Sequence, residues 1–240
     1  MIGAFFDIDG TLYRNSLMIE HFKKLIRYEV IDELIWHKHV KQTFEEWEKR
    51  YRDFEDYLEE LADIYVRELK GVNKSHIEFI AHQVININGD KVYKYARDRI
   101  KWHQDQGHKV FFISGSPEFL VGKMAEKYGV TQFRGSKYVV DENNNFTGEI
   151  IKMWDSFNKQ RALDEFVEKF NIDLDNSYAY GDTTGDLSMM KMVGNPVAIN
   201  PNRDLYNCIK EDKDISDKIS IIIERKDMIY KVNSSVEILD

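Results

Sequence analysis

Four short apolar runs punctuate the chain, and each is cut off by a polar turn. Ile2-Gly3-Ala4-Phe5-Phe6 stops at Asp7-Ile8-Asp9-Gly10, and Val110-Phe111-Phe112-Ile113 stops at Ser114-Gly115-Ser116-Pro117. Ser177-Tyr178-Ala179-Tyr180 gives way to Gly181-Asp182, and Pro196-Val197-Ala198-Ile199 to Asn200-Pro201. Continuous apolar runs of this length, bounded by turn residues, predict strands buried on both faces. Helical spacing fills the intervals over Asp90 to Gln106, Pro117 to Tyr128 and Asn158 to Phe170, with Gly107, Gly129 and Asn171 as stops. The alternation predicts an α/β fold with an open, mainly parallel sheet and helices on both faces. Ligands in such sheets bind beyond the carboxyl ends of the strands, where each of these polar clusters falls.

Two segments interrupt the alternation. From about Leu17 to Ile87 no strand pattern occurs, while Phe44, Trp47, Tyr51, Phe54, Leu58, Leu61 and Tyr65 step by three and four. This predicts a helical insert after the first strand, with the aromatic stripe as a packing seam. Lys137-Tyr138-Val139-Val140-Asp141 and Phe146-Thr147-Gly148-Glu149-Ile150 predict a β-hairpin over an Asn-rich turn. After Asp212, Ile219 to Ile223 reads as a last strand without a motif.

Composition narrows the partners. The 240 residues suit one large domain or a core with a smaller insert. With 34 basic against 42 acidic residues the net charge is −8, which opposes sequence-independent binding to nucleic acid or an anionic membrane. No run of eighteen apolar residues occurs. Cys208 is the one cysteine, so no intramolecular disulfide is expected. The start is short, lacks basic residues and runs straight into carboxylates, so the expected location is cytoplasmic.

Asp7-Ile8-Asp9-Gly10-Thr11-Leu12 puts two carboxylates at a strand end, and Gly10 lets the chain turn so that Asp9 swings back over Asp7. A carboxylate held there can attack phosphorus, and its neighbour can protonate the leaving oxygen. The same pattern also fits a plain Asp-Gly turn. Gly181-Asp182-Thr183-Thr184-Gly185-Asp186 adds two more carboxylates after another strand. Asp182 beside Asp7 suits a hard cation such as magnesium, with Asp186 acting through water or as an anchor. These acids also suit a helix N-terminus. Ser114-Gly115-Ser116-Pro117 offers a hydroxyl and backbone amides at a helix start, either a phosphate cradle or a routine cap. Lys159 opens another helix and could neutralise a phosphoryl group.

The order aspartate pair, serine, lysine, aspartate pair resembles the haloacid dehalogenase superfamily, whose members mostly hydrolyse phosphate monoesters. The resemblance covers Ile2 to about Arg14 and about Asp90 to Tyr206. The Ser-Gly-Ser-Pro form, the hairpin ending in Phe146-Thr147-Gly148 and Asn200-Pro201-Asn202-Arg203-Asp204-Leu205 are similar to its phosphoserine phosphatase-like subfamily. The resemblance implies a Rossmann-like core of residues 1–14 and 88–240 and a helical cap of residues 15–87. It implies Asp7 as nucleophile and Mg2+ ligand, and Asp9 as general acid and base whose carbonyl also binds the metal. Asp182 and Asp186 complete the metal site, Ser114 and Gly115 take the phosphoryl group, and Lys159 neutralises it. Family ATPases carry threonine at the place of Asp9, and the dehalogenases lack that acid.

Ser16 stands where phosphoserine phosphatases carry a glutamate, which argues against phosphoserine itself. Arg14, Arg50 and Arg52 receive no role. The expected activity is magnesium-dependent hydrolysis of a small phosphomonoester through an aspartyl phosphate. The alternatives are a phosphotransferase or phosphomutase with the same intermediate, or a non-enzymatic module dimerising through the aromatic stripe; a homodimer is the protein partner considered.

Overall fold

In the computed structural model, which describes residues 1–238, the first apolar run becomes β1 (Gly3–Phe6), buried throughout. It lies between β2 (Lys109–Pro117) and β5 (Tyr178–Gly181), parallel to both, with Phe5 level with Phe111 and Ala179. Alternate residues face opposite layers. Phe6 and Tyr180 stack at 4.0 Å on one face, and Phe5 and Phe111 at 5.1 Å on the other. One layer holds α5 (Lys74–Asn88), α6 (Lys94–Asp105) and α7 (Glu118–Tyr128); the other holds α8 (Ser156–Phe170), α9 (Leu187–Met192) and α10 (Arg203–Glu211). Two covered faces explain why these strands read as continuous apolar runs. Gly129 and Asn171 take left-handed conformations, with φ of 61° and 49°, and end α7 and α8 as their types predict.

The sheet extends to eight strands with β3 (Gln132–Val140), β4 (Phe146–Ile151), β6 (Asn195–Ile199), β7 (Ser220–Arg225) and β8 (Met228–Val232). Their order is β4-β3-β2-β1-β5-β6-β7-β8. The expected hairpin forms from β3 and β4, but β3 begins as a parallel neighbour of β2 at Phe111 and Gln132 before turning to pair with β4. The last expected strand is β7, and β8 pairs with it antiparallel at the sheet edge. After β1 the chain builds outward on one side through β2, then returns to the other through β5. The carboxyl end of β1 is therefore the crossover crevice where such sheets bind ligands.

Between β1 and β2 lies the helical insert: α1 (Leu17–Arg27), a short α2 (Glu33–Ile35) running through a wide turn at Trp36–Val40 into α3 (Lys41–Glu48), then α4 (Phe54–Leu69) and α5. The aromatic stripe does not run along one helix. Arg50 takes φ 62° and breaks it, leaving Tyr51 79% exposed. Trp47 folds back to stack on Tyr57 at 5.7 Å, and Phe44 meets the same ring at 5.6 Å. The seam is thus closed inside one chain, as its reading as a packing seam expects.

The β3–β4 hairpin joins the insert. The N–H groups of Gly71 and Lys74 donate to Phe146 and Asn144 carbonyls at 2.7 and 2.8 Å, and Phe146 N–H donates to Val72 at 3.0 Å. Tyr138 and Phe146 sit in the insert's apolar cluster with Phe22, Leu61, Tyr65 and Ile77. α5 serves both bodies, packing Ile77 and Ile80 into that cluster and Ala81, Val84 and Ile85 into the sheet's core.

Candidate active site

Asp7 follows β1 and is fixed by its N–H, which donates to the Tyr180 carbonyl at 2.9 Å. The chain then reverses: Leu12 and Tyr13 N–H groups both donate to the Ile8 carbonyl, and Gly10 takes φ 85°. A Cβ on Gly10 would lie 2.0 Å from Asp182 Oδ2, so only glycine allows both the turn and the approach of the second acid. The turn brings Asp9 back to the strand end. Its Oδ1 accepts from the Leu17 N–H at the start of α1 at 2.9 Å, and its Oδ2 from the Ser116 hydroxyl at 2.5 Å.

Asp182 follows β5, and its Oδ1 accepts from the Thr11 hydroxyl at 2.8 Å. Asp186 closes a single 3-10 turn, Thr184–Asp186. Its Oδ2 accepts from the backbone N–H groups of Asp182 and Thr183 at 3.1 and 3.2 Å. Lys159 lies in the first turn of α8, whose N-cap Asp155 accepts from the Asn158 N–H at 2.8 Å. The Lys159 side chain is 4% exposed, and its Nζ donates to Asp7 Oδ1 and Asp186 Oδ1, both at 2.6 Å. Four strand-end acids and one ammonium thus converge across more than 170 residues of sequence.

Carboxylate oxygens of Asp7, Asp182 and Asp186 all lie within 4.8 Å of one another. Burial raises the Asp7 carboxyl; Lys159 opposes this, while Asp186 and Asp9 add to it. Asp182 is pushed well above the usual carboxylate range by burial, then by Asp7 and Asp186. Burial also lifts Asp9, to about 6, against the hydrogen bonds from Ser116 and Leu17. For Lys159 burial favours loss of the proton, but Asp186 and Asp7 outweigh it and hold the ammonium charged. Fully ionised, four acids and one ammonium leave an excess of three negative charges, which a hard divalent cation would relieve. The donor set fits magnesium. Among the described residues Asp7 and Asp182 each keep an oxygen free of protein hydrogen bonds, whereas both Asp186 oxygens accept at least one. The carboxylate of Asp9 is turned to Ser116 and Leu17, which leaves its carbonyl as the ligand atom it can offer.

A cavity of about 110 Å³ opens over these groups, lined by Asp7, Asp9, Gly115, Ser116, Lys159 and Thr183 from the core side. Gly115 is where expected. Ser114 is fully buried at the end of β2, and its Oγ accepts from the Ser116 N–H at 3.2 Å. Ser116, two residues on, lines the cavity and holds Asp9. Sequence reasoning gave no role to Thr11, Ser116 or Thr183. Thr11 was visible inside the Asp-rich turn and Ser116 inside the Ser-Gly-Ser run, but a hydroxyl's partner there depends on how the turn folds.

The profile of haloacid dehalogenase-like hydrolases matches residues 4–191. A histidinol-phosphatase from Neisseria meningitidis serogroup C (strain 8013) is 25% identical over 223 residues, covering 87% of this chain and 94% of that protein. A protein of unknown function from Bordetella pertussis Tohama I superposes with TM-score 0.70 at 17% identity, over 88% of this chain and 96% of its own. A substrate-bound phosphoserine phosphatase superposes with TM-score 0.57 at 21% identity, over 88% and 98%. With a mainly parallel sheet, strand-end acids in one crevice and a profile match over most of its length, the chain belongs to the haloacid dehalogenase-like hydrolases.

Proposed function

We propose that the protein hydrolyses a small phosphomonoester in two steps through an aspartyl phosphate on Asp7, with magnesium. The observation that carries this is Lys159 held 2.6 Å from both Asp7 and Asp186, with an Asp182 oxygen in the same buried cluster. Asp7 and Asp182 carboxylates and the Asp9 carbonyl would hold Mg2+, which when bound neutralises phosphoryl charge.

Asp7 Oδ2, which accepts no hydrogen bond among the described residues, attacks phosphorus in line with the leaving oxygen, and Oδ1, with a second lone pair beside the one given to Lys159, is the oxygen that would meet the metal. Asp9 gives its proton to that oxygen as the phosphorus–oxygen bond breaks, which suits a carboxyl raised to about 6 by burial. Lys159 stays charged and offsets negative charge on the phosphoryl oxygens, while Gly115 and Ser116 line the wall that receives them and Ser114, behind it, accepts from the Ser116 N–H. Asp9 then takes a proton from water as that water attacks phosphorus, and Asp7 is released as a carboxylate. The helical insert serves as the cap that keeps bulk water out of the first step.

The deciding experiment is Asp7→Asn assayed with magnesium on an aryl phosphate, alongside a thermal melt. Loss of phosphate release with an unchanged or higher Tm supports Asp7 as nucleophile; retained turnover refutes it.

A further inference from the structure

The cavity's remaining wall comes from Ser16 and Met18 at the start of α1, Leu58 of α4, and Trp154 just before α8. We propose that this wall selects an alcohol with an apolar carbon skeleton and no anionic group, and that Met18, Leu58 and Trp154 are the specificity-determining side chains. The inference rests on the phosphatase reading above and names the class of ester it takes.

Charge carries the first part. Among the residues lining the cavity the charged ones are Asp7, Asp9 and Lys159, and Lys159 gives two of its three donors to carboxylates, which leaves one for the phosphoryl group. A leaving group bearing a carboxylate would meet Asp7 and Asp9 with no free cation opposite it. Arg14 and Arg52 do not line the cavity and are held elsewhere. Arg14 donates to the Val92 carbonyl and to Glu224, each at 2.9 Å. Arg52 faces Glu46, Asp56 and Glu60 at 3.7 to 4.0 Å. Lys152 rides over the Trp154 ring, 4.6 Å from its centre, and does not line the cavity.

Shape and polarity carry the second part. Trp154 is pinned against the β2 turn, because a Cβ on Gly115 would come within 2.8 Å of its own Cβ. The same tryptophan packs on the insert's apolar cluster, to which Met18 and Leu58 belong. Core and insert thus share one continuous apolar wall facing the phosphoryl site, which desolvates carbon and leaves a charge uncompensated. Ser16 adds one neutral polar group. It is fully buried and its Oγ lies beside Asp9, near enough to favour the charged carboxylate, yet outside hydrogen-bonding geometry with any protein group. A hydroxyl so placed can bond a neutral donor or acceptor on the ligand, but cannot balance an anion.

The test compares phosphoserine, phosphoethanolamine and propyl phosphate, which differ first by removal of the carboxylate and then by a methyl group in place of the ammonium. Calorimetry on the Asp7→Asn variant with magnesium gives each Kd without turnover, and kcat/KM on the wild-type chain gives the matching ranking. Propyl phosphate should bind about tenfold tighter than phosphoserine or better, with phosphoethanolamine also ahead of it. Leu58→Arg should narrow or reverse that gap by weakening propyl phosphate and improving phosphoserine. Phosphoserine bound as tightly as propyl phosphate overturns the proposal, as does a loss of phosphoserine binding confined to Lys152→Ala, which would identify the missing cation. The expected ranking in Kd without hydrolysis of any ester supports the wall's selectivity and refutes the phosphatase reading. Absence of binding by all three overturns both.

Discussion

Lys159 shows how much of this site rests on single atoms. Its ammonium is the one positive charge among four buried or half-buried acids, so its loss leaves a cluster that cannot all ionise. Removing one partner of a buried pair typically costs about 3–5 kcal/mol. Lys159→Met should therefore lower stability strongly in chelator and much less in magnesium, read as the urea midpoint under both conditions. Asp182→Asn should act in the opposite sense: it removes one like charge facing Asp7 and Asp186. In chelator its Tm should rise, and the Tm increase that magnesium gives the wild-type chain should shrink or vanish. Asp9→Asn should keep the fold and reduce kcat by about 10²–10⁴-fold, the range for a positioned proton donor. At this scale Asp7, Asp9, Asp182, Asp186 and Lys159 were legible because each stands at a strand end or helix start. Thr11 and Ser116 were not, since a turn hydroxyl finds its acceptor only after β1, β2 and β5 are side by side.

Among the elements, strands of the central sheet were readable because burial on both faces removes polar positions from them. β8 was missed for the converse reason: Met228, Ile229 and Tyr230 are exposed on the sheet edge, so their apolar character does not report a buried face. In the insert, spacing by three and four signalled helix correctly but concealed the reversal at Arg50, a residue with no intrinsic preference for positive φ. Folding the stripe back on itself buries Tyr57 completely, and its hydroxyl has no hydrogen-bond partner among the described residues. An unsatisfied buried hydroxyl costs about 1–3 kcal/mol. Tyr57→Phe should accordingly stabilise the protein, seen as a higher urea midpoint with an unchanged slope.

For the molecule as a whole, neighbouring elements are tied together by buried histidines that burial keeps neutral. His21, on α1, accepts from the Tyr65 hydroxyl of α4 at 2.6 Å in the tautomer whose Nε2–H donates to the Ile77 carbonyl of α5 at 3.2 Å. His103 of α6 reaches Tyr180 of β5 at 2.8 Å. Burial pushes both down to about 3, Arg99 and His108 adding to the effect at His103. The unfolded chain takes up these protons near pH 6.5 and the folded one does not, so their contribution is intact above about pH 6.5 and declines as pH falls toward 3. Each such group gives a slope of up to about 1.4 kcal/mol per pH unit. The raised Asp7 and Asp9 carboxyls act in the opposite sense over the same window, so the histidine contribution is read by difference: the denaturation midpoints of the wild-type chain and of His21→Gln should draw together as pH falls from 6.5 toward 3.

The backbone bonds from Gly71, Val72 and Lys74 to the β3–β4 hairpin stitch one side of the insert to the sheet. At the far side, Asn202 Nδ2, at the start of α10, donates to Glu55 Oε1 of α4 at 2.9 Å. One rim is sewn by main chain and the other clasped by two side chains, so the second seam is the one that a single substitution can undo.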